Sequence, residues 1–430
     1  GNFVLKNISA GNYSLAVSLI GFQKEIVKEI SVRENETTNV NILLTPTSIQ
    51  TSEIIVTANR SPQSLQEIPV SVSVVDAAKI SERNAISADQ SLRYVSGVNV
   101  SEGQVNIRGF SGYTKGVGSR VLLLVDGMPM LAGDTQEIIW ESVPVSQIEK
   151  IEIVKGAGSA TYGSSALGGV VNIITKEISE APTTNIKLYG GIWEQPRYKN
   201  WRWSSRERLL NGISFSRSEK LNDAVGMFYG FSRTQDDSYK RNDYWRRWNI
   251  FSKLNYTISS NEKFIANFSL LNQQRGNFFY WKSLDEALVP ADDQLKERVE
   301  TTRMNGSFSY NCIVQENLSY TLRGNFFFAN WKNIAALVNK DSTQTHSRSF
   351  ASSLELFYNY QMREQSNCTF GVEAKSNLIR ANLFGERNSN GVAAFIQEEE
   401  KFSEFVRTSV GVRGDFSKVD SIGEIGRAHV

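Results

Sequence analysis

Segments in which apolar and polar residues alternate fill the second half of the chain, from about residue 185 to residue 420. In residues 264–270 the even positions are mainly apolar, and residues 318–328 and 350–358 repeat this pattern. Alternation over about ten residues is typical of a transmembrane barrel strand, which has lipid on one side only. On this basis we count about eleven strands before residue 420.

The connections between these strands alternate in length. Short turns at residues 259–261 and 315–316 alternate with long polar stretches at about residues 275–300 and 331–346. Bacterial outer-membrane barrels have short turns on the periplasmic side and long loops on the extracellular side, and closure removes open sheet edges from the lipid. Barrels that contain a plug have about 22 strands. We therefore expect about half of a 22-stranded transmembrane antiparallel β-barrel, with outer-membrane lipid as its surroundings.

Aromatic residues on the expected outer face suit the interfacial girdles of a membrane barrel. They are Phe228, Trp245, Trp248, Tyr256, Tyr310, Tyr320 and Tyr358. A soluble β-sandwich or propeller would also have alternating strands, although no blade-like repeat is visible. Cys312 and Cys368 share the outward parity on strands that two others separate, which favours lipid-facing thiols over a disulfide.

The pattern is different before residue 178. Residues 1–46 alternate as short strands at 3–5, 13–18, 24–32 and 38–44, with turns at Gly11-Asn12 and Glu34-Asn35, and predict a small β-domain. Residues 47–67 are a polar linker that contains one β-prone hexamer. The hexamer consists of Glu53, Ile54, Ile55, Val56, Thr57 and Ala58.

Residues 68–178 mix strands with short helices and predict an α+β domain. A strand at residues 70–75 precedes Asp76, which we expect to cap a helix ending at Arg83. Ser87 is expected to cap a second helix that ends at Tyr94, before Gly97.

A glycine-rich loop at residues 156–169 lies between two β-prone runs at residues 151–154 and 170–175. A Walker phosphate loop would need Lys after its second glycine, but Ser164 follows Gly163. A dinucleotide fingerprint starting at Gly156 would need a third glycine where Thr161 stands. Both nucleotide hypotheses therefore fail, and we interpret the glycines as supplying tight turns.

Composition argues against several classes of function. The chain of 430 residues has 47 basic and 45 acidic residues, so its net charge of +2 gives no reason to expect nucleic acid. Only two histidines are present, and no metal-ligand spacing or Ser/His/Asp set is visible, so we expect no enzyme, no metal and no cofactor. No apolar run approaches the roughly 20 residues of a membrane helix.

Both ends of the sequence suggest a fragment. The chain begins with Gly1 and has no signal peptide. Residues 425–430 resemble the translation of a sequencing adapter and fit no strand, so we expect residues 424–430 to be an artefact.

Three segments in this order resemble the plug domain of TonB-dependent outer-membrane receptors: residues 105–110, 121–129 and 147–176. The motif residues are Arg108, Gly109, Asp126, Gly127, Gly156, Gly158, Tyr162, Gly163, Gly168, Gly169 and Asn172. Residues 8–15 with Ile20-Gly21-Phe22 resemble the second half of a carboxypeptidase-regulatory-like domain, which precedes the plug in Bacteroidota-type receptors. The resemblance implies a mainly β chain with a truncated N-terminal β-sandwich, an α+β plug (68–178) and half a barrel (185–420).

The resemblance also implies a function. Residues 53–58 match a TonB box, which would pair with TonB by strand addition and be pulled by the TonB–ExbB–ExbD motor; an ordinary linker strand is the alternative. The sandwich and the box would lie in the periplasm of a Gram-negative bacterium, and the barrel in its outer membrane. The intact protein would import a scarce, bulky solute.

The cargo stays open at this point. The form of residues 163–175 favours an iron–siderophore over a glycan, with cobalamin or haem as alternatives, and a partner lipoprotein at the surface is not excluded. A basic-aromatic cluster consists of Arg197, Trp201, Arg202 and Trp203. This cluster would attract an anionic chelate. The alternative is a solvated loop whose tryptophans anchor it at the membrane interface. A non-transporting surface receptor or adhesin is the rival function.

Two plug charges also have two interpretations. Arg108 and Asp126 stand in otherwise apolar strand–turn contexts. In the family, such charges hold the plug against the barrel wall through ion pairs. The alternative is a solvated charge on a turn.

Overall fold

The computed structural model describes most of the chain. The described residues are 3–5, 8–17, 25–34, 36–43, 55–56, 63–64, 71–83, 85–101, 104–109, 120–133, 138, 140–156, 162–334, 345–363, 365–382, 385–403, 406–419 and 423–429. The chain divides into two compact units, Gly1–Ile55 and Val56–Val430.

The first unit contains one antiparallel pair, β1 (Gly11–Val17) and β2 (Glu25–Val32). The predicted turn at Gly11-Asn12 is wrong, because Gly11 lies opposite Val32 inside the sheet and its main chain is used for strand pairing. The predicted strands at residues 3–5 and 38–44 are also absent among the described residues 3–5 and 38–43. Two-residue strands follow at β3 (Ile55–Val56) and β4 (Gln63–Ser64).

The plug is built on a five-stranded sheet in the order β5-β10-β11-β8-β9, beside a separate hairpin of β6 and β7. Its strands are β5 (Val72–Asp76), β6 (Val98–Ser101), β7 (Gln104–Ile107), β8 (Val121–Val125), β9 (Met128–Pro129), β10 (Ile148–Val154) and β11 (Gly169–Thr175). All five residues of β8 are buried. A strand covered on both faces is expected to be apolar throughout, and β8 is also the strand that pairs in parallel with β11.

Two short helices, α1 (Ala77–Glu82) and α2 (Ala88–Leu92), cover this sheet's edge region. The predicted cap of α1 is confirmed, since the Asp76 carboxylate accepts a hydrogen bond from the Lys79 N–H at 2.8 Å. Ser87 precedes α2 but makes no capping bond, because its hydroxyl donates to the Asp89 side chain. The second helix ends at Leu92, two residues before the predicted end at Tyr94.

The rest of the second unit is a twelve-stranded antiparallel sheet in which every strand pairs with its neighbours in sequence. Its strands are β12 (Thr183–Trp193), β13 (Arg208–Lys220), β14 (Val225–Asp236), β15 (Trp245–Ser259), β16 (Glu262–Gly276), β17 (Arg298–Gln315), β18 (Leu318–Ile334), β19 (Thr345–Arg363), β20 (Ser366–Ala381), β21 (Gly385–Lys401), β22 (Arg407–Val419) and β23 (Gly423–His429). The eleven strands from β12 to β22 match the predicted number. Short turns and long loops alternate as predicted from β12 to β20, whereas the connection from β20 to β21 consists of only the three residues 382–384.

The final strand corrects one expectation. Residues 425–430 were expected to fit no strand, but residues 423–429 pair with β22, with Gly423 opposite Val419. Alternation is weak in this segment, so its pairing follows from main-chain hydrogen bonds to the exposed edge of β22 and not from a side-chain pattern.

The two faces of the sheet differ as the alternation predicts. Trp248, Tyr256, Tyr310, Tyr320 and Tyr358 lie on the outer face, and the last three form a row of ring contacts 5.7 to 6.0 Å apart. Cys312 and Cys368 are free, with β18 and β19 between their strands.

Two predicted outer aromatics are wrong. Phe228 is 6% exposed and packs against Phe251 on the inner face. Trp245 has the same inward parity as Phe251 and lies opposite Arg275. Beside Phe228 the outer face is taken by Tyr229, because a strand with aromatic residues at adjacent positions has no unique parity. Beside Trp245 the outer face is taken by Arg246, which shares the parity of the outward Trp248.

The inner face of the sheet packs directly on the plug. Phe327 and Ala329 of β18 belong to the same buried cluster as Leu123 of β8 and Ile151 of β10. The plug core is therefore completed by the wall around it. No described helix is long and apolar enough to span a membrane.

Candidate functional site

A tight turn at Asp126-Gly127 joins β8 to β9 and contacts the wall through hydrogen bonds and an ion pair. Both residues have positive φ, 48° and 77°, and Val125 lies opposite Met128. Positive φ at both central positions is the two-residue hairpin geometry that Asp-Gly favours. This agrees with the strand, turn and strand predicted from the sequence.

Asn172, a predicted motif residue, forms hydrogen bonds that stabilise this turn from inside the plug. Its side-chain oxygen accepts a hydrogen bond from the Gly127 N–H at 3.1 Å, and its amide nitrogen donates to Glu152 at 3.3 Å. Asn172 and Glu152 are fully buried cross-strand partners in the plug sheet. Buried polar groups need such partners, so this chain of bonds fixes the turn to the centre of the plug.

The Asp126 carboxylate joins the plug to the wall. Inside the plug it accepts hydrogen bonds from the Thr175 N–H at 2.9 Å and the Thr175 hydroxyl at 2.6 Å. From the wall, Asn267 of β16 donates to it at 3.2 Å, and the Lys253 amine of β15 lies 4.0 Å away. For Asp126 the structure therefore supports an ion pair between plug and barrel and not a solvated charge on a turn.

Lys253 also reaches the place where the chain leaves the plug. It is only 4% exposed, and its amine donates to the Thr175 hydroxyl at 3.0 Å and to the Lys176 carbonyl at 3.2 Å. One buried cation therefore connects the tight turn, the end of β11 and the inner wall.

Arg323 of β18 packs against the other half of the turn. A Cβ atom added to Gly127 would lie 2.8 Å from an Arg323 guanidinium nitrogen. Arg323 is itself buried and pairs with Glu355 on β19, its direct cross-strand neighbour. Close approach of the guanidinium to the turn backbone requires glycine at this position.

A second buried charge cluster lies further along the wall. Arg413 of β22 is fully buried and pairs with Glu373 at 2.6 Å and Asp415 at 2.8 Å. The small residue Ala393 occupies the register position between Glu373 and Asp415, so the long Arg413 side chain can reach across it. Gly163 of the plug faces this cluster, with its Cβ position 3.5 Å from Arg413 Nε.

These wall residues were not predicted as site residues. They are Lys253, Asn267, Arg323, Glu355, Glu373 and Arg413. The signal that locates them is their inward parity, since each is charged or polar and its neighbours on the outward parity are mostly apolar, with Ser252 before Lys253 as the exception. Parity places them inside the wall but does not tell which plug residue each one meets.

The remaining motif residues, four glycines and Tyr162, lie in different surroundings. Gly169 has φ of 135°, and a Cβ there would meet the Val154 carbonyl at 2.5 Å, so close sheet packing requires glycine. Gly168 donates its N–H to the Arg120 carbonyl at 2.7 Å. Tyr162 is buried beside β8 in a small apolar cluster. Gly156 has open space around its Cβ position, and Gly158 lies outside the described residues.

Arg108 differs from Asp126. It lies with Gly109 in a turn of positive φ and is exposed, and the described part of the chain gives it no carboxylate partner. Burial lowers the pKa of the nearby Lys155, and the positive charge of Arg108 lowers this pKa further. For Arg108 the structure favours the solvated turn charge.

The four residues of the predicted substrate cluster lie in one loop, and its two tryptophans form hydrogen bonds with neighbouring loops. The Trp201 indole donates to the Leu284 carbonyl and the Trp203 indole to the Tyr239 carbonyl, each at 2.9 Å. Arg202 donates to the Pro196 carbonyl of its own loop, and Arg197 is exposed. The two tryptophans therefore connect the loop after β12 to the loops after β14 and β16.

The hexamer at residues 53–58 is described only in part. Ile55 and Val56 form β3, as a β-prone segment would. Glu53, Ile54, Thr57 and Ala58 lie outside the described residues. Among the described residues no cluster of His, Cys, Asp or Glu could hold a metal ion.

Comparison with known proteins identifies the plug. Residues 64–170 match the TonB-dependent Receptor Plug Domain, and residues 1–56 match the CarboxypepD_reg-like domain. Residues 64–170 are therefore a plug domain of the type found in TonB-dependent receptors. The chain is 34% identical over 178 residues to the vitamin B12 transporter BtuB of Vibrio vulnificus, an alignment of 40% of this chain and 29% of that protein.

Two further relatives match larger parts of the chain. The chain is 30% identical over 240 residues to the iron-regulated outer membrane virulence protein of Vibrio cholerae, covering 52% of this chain and 34% of that one. The crystal structure of the siderophore receptor PirA from Pseudomonas aeruginosa matches with a TM-score of 0.63 at 19% identity, covering 84% of this chain and 58% of that chain. The chain thus spans about a third of the length of these curated relatives. These relatives are transporters and receptors, in agreement with the prediction that the chain is not an enzyme.

Proposed function

We propose that this chain provides the plug and the first barrel strands of a receptor that imports a scarce, bulky solute across the outer membrane of a Gram-negative bacterium. The domains would be a sandwich at residues 1–46, a linker at 47–67, a plug at 68–178 and barrel strands at 185–420. The long-loop end of the sheet would face outward, and the short-turn end would face the periplasm together with the sandwich and residues 53–58.

The contact of Asp126 with Lys253 carries this proposal. The plug is joined to the wall by a few hydrogen bonds and ion pairs around one turn, together with apolar packing. Hydrogen bonds that charged groups make contribute about 1.5–3 kcal/mol each, and water can replace them once the groups are exposed. The contact between plug and wall therefore forms a seal that is closed at rest and can open when work is done on the plug.

The plug topology supplies a route for that work. β5 follows the residue 53–58 segment and lies at the edge of the plug sheet, paired with β10. A TonB protein that adds a strand to residues 53–58 would pull on β5 first, powered by ExbB and ExbD. The turn at Asp126, at the opposite edge of the sheet, would stay bonded to the wall until β5 has moved.

For the cargo we propose an iron–siderophore. An iron-regulated outer membrane protein and a siderophore receptor are among the proteins that this chain resembles. Cobalamin is the second candidate, because the relative with 34% identity is a vitamin B12 transporter. Haem or glycan uptake, and a surface receptor or adhesin that transports nothing, remain rival outcomes of the test. A partner lipoprotein at the cell surface would be compatible with any of these functions.

The test is uptake by cells that express the complete reading frame containing this chain. Radiolabelled iron–siderophore, cobalamin and oligosaccharide are offered to cells carrying either wild type or Ile55→Pro. Proline has no N–H for strand pairing, so we expect uptake of one cargo to fall to background. Ile55→Val is the matched control and should transport normally.

The outcomes separate the alternatives. Loss of uptake with retained cargo binding supports TonB-driven import and names the cargo. Normal uptake by Ile55→Pro would contradict the assignment of residues 53–58 and favour a passive pore. Binding without uptake by wild type would favour the surface receptor or adhesin.

A further inference from the structure

Three neighbouring loops at the long-loop end of the sheet contact one another. They are residues 194–207, 237–244 and 277–297, which follow β12, β14 and β16, and we call them the first, second and third loops. The Trp201 and Trp203 indoles connect the first loop to the other two. Whether each loop can move separately depends on the other contacts, in which the second loop takes part.

The second loop and the residue before it hold both ends of the first loop. Trp193, which precedes the first loop, donates its indole N–H to the Asp236 carboxylate at 2.8 Å, and its ring lies 5.3 Å from that of Tyr239. Arg208, which follows the first loop, donates to the Asp237 carbonyl at 2.8 Å. The first loop therefore cannot swing away from the second loop without breaking these bonds.

Asn242 connects the second loop to the third. Its backbone is left-handed, with φ of 58°, a conformation that asparagine tolerates better than most residues. Its side-chain nitrogen donates to the carbonyls of Gln294 at 2.7 Å and Glu297 at 2.9 Å, and lies 3.3 Å from that of Asn277. An amide group has two hydrogens, so the two shorter contacts are the main bonds. One side chain thus contacts the beginning and the end of the third loop.

The third loop is packed as tightly as a small core. The Arg241 N–H of the second loop donates to the Leu288 carbonyl at 2.8 Å. Gln294 and Val289 are each only 5% exposed, and the Gln294 side-chain oxygen accepts from the Phe279 N–H at 3.2 Å. Releasing buried polar groups from their partners costs free energy, so separate movement of this loop is disfavoured.

We propose that the three loops form one cooperative unit that Asn242 fixes, and that they open only together. Loops that act as lids belong to the least stable parts of a protein, with few buried contacts. These loops have the opposite character, so arriving cargo meets them in a shape that is already set. Closure over the cargo would have to come from other loops. Asn242 is a positioning residue in this scheme, because it acts through the loops it connects.

The first test needs no cargo and does not depend on the proposed function. Hydrogen exchange is measured on the purified complete receptor at one amide in each loop, namely Trp201, Arg241 and Lys282, whose N–H groups all donate to loop carbonyls. Amides that exchange through one shared opening have similar protection factors, within about threefold, and respond together to low urea concentrations. Protection factors that differ widely in the wild type would overturn the single unit without any variant.

Asn242→Asp is the variant. Aspartate has the same size and also tolerates a left-handed backbone, but at neutral pH its carboxylate cannot donate to the three carbonyls. Each net hydrogen bond changes an equilibrium by about fivefold, so losing two should lower the protection of all three amides about 25-fold. A decrease confined to Lys282 would show that the third loop opens alone, and no decrease would show that Asn242 does not fix the unit.

Asn222→Asp is the matched control in a short turn at the other end of the barrel. There the side-chain oxygen accepts from the N–H groups of Ala224 at 2.9 Å and Val225 at 2.8 Å. A carboxylate accepts these bonds equally well, so protection in the three loops should stay as in the wild type. A decrease as large as that of Asn242→Asp would mean that a new charge, and not the lost donor, causes the effect.

The second test concerns cargo entry and rests on the proposed function. Arg241→Cys with Leu288→Cys, in a chain whose Cys312 and Cys368 are replaced by serine, can lock the second loop to the third. The main-chain bond keeps the two Cα atoms within about 7 Å, close to the range that a disulfide spans. Uptake of the radiolabelled cargo should be the same in the oxidised and the reduced receptor.

The two tests fail in different ways. Loss of uptake on oxidation that dithiothreitol restores would show that these loops must separate, and would overturn the preset shape. Absence of uptake by the reduced receptor and by wild type would contradict the proposed transport function alone. The exchange measurement would then still decide whether the three loops form one unit.

Discussion

Lys253 on the inner face of β15 lies with its amine 4.0 Å from the Asp126 carboxylate at the tip of the plug turn. The same amine reaches the last residue of β11 and the carbonyl that follows it. The wall therefore touches the plug where its turn and its exit strand meet. Breaking this contact would loosen both at once.

Replacing Lys253 with Met is expected to weaken the seal between plug and wall. The change removes a charged donor that is 4% exposed and leaves Asp126 with fewer partners, at a cost of about 2–3 kcal/mol. The measurement is the free energy of unfolding of the complete receptor in urea, together with hydrogen exchange at the Thr175 amide. Lys263→Met is the control, because its pair with Glu177 is exposed and should contribute under about 1 kcal/mol. Equal effects of the two changes would argue against the special position of Lys253.

Gly127→Ala should destabilise the turn. The backbone has φ of 77°, which costs an L-residue about 1–2 kcal/mol, and the new Cβ would press on Arg323 at 2.8 Å. Gly156→Ala is the matched control, since its Cβ position has nothing within 4 Å. Urea unfolding of both variants measures the difference. A loss for Gly156→Ala as large as that for Gly127→Ala would contradict the turn geometry.

Stability should depend on Asp76 in a defined pH window. The hydrogen bond from the Lys79 N–H lowers the pKa of Asp76 below its usual 3.8. A carboxyl with a lowered folded pKa stabilises the fold above its unfolded pKa, and this contribution disappears as the pH falls through the folded pKa. Asp76→Ala should therefore cost about 1 kcal/mol at pH 7 and almost nothing near pH 2.

Hydrogen exchange of the Lys79 amide, measured for wild type and Asp76→Ala at several pH values, checks this effect locally. Asp76→Asn is the control, because asparagine caps helices without titrating. The protection factor of the Lys79 amide in this variant, which is its exchange rate relative to the intrinsic rate at the same pH, should stay independent of pH from 2 to 7. A constant difference between wild type and Asp76→Ala at every pH would show that the carboxylate charge contributes nothing.

Trp203→Phe should loosen the loop after β14 while keeping an aromatic ring. The change deletes the indole donor to the Tyr239 carbonyl, a hydrogen bond worth about 1 kcal/mol. Cleavage between residues 237 and 244 by a protease should then become about fivefold faster, provided that local opening limits cleavage. Trp248→Phe, on the outer face of β15, is the control and should leave cleavage unchanged. Unchanged cleavage of both variants would show that the indole bond does not brace the loop.

Sequence patterns were sufficient to predict the elements whose cause is local. Alternation located the barrel strands and the lengths of their connections, because a strand between two different surroundings must repeat every second residue. Asp126-Gly127 predicted a tight turn and Asp76 predicted a cap, since each depends on neighbours within a few positions. The order of the plug segments indicated the family.

Which distant side chains meet could not be predicted from these patterns and depends on the folded packing of the plug and the wall. Asn267 and Asp126 are 141 positions apart, and their hydrogen bond depends on how the wall curves around the plug. Adjacent aromatics such as Phe228 and Tyr229 can each take the outer face by pattern, and strand register alone selects Tyr229. Parity placed Lys253 and Arg323 inside the wall, but their plug partners follow from the packing of two domains. That packing is a sum of many weak contacts that no single segment of the chain encodes.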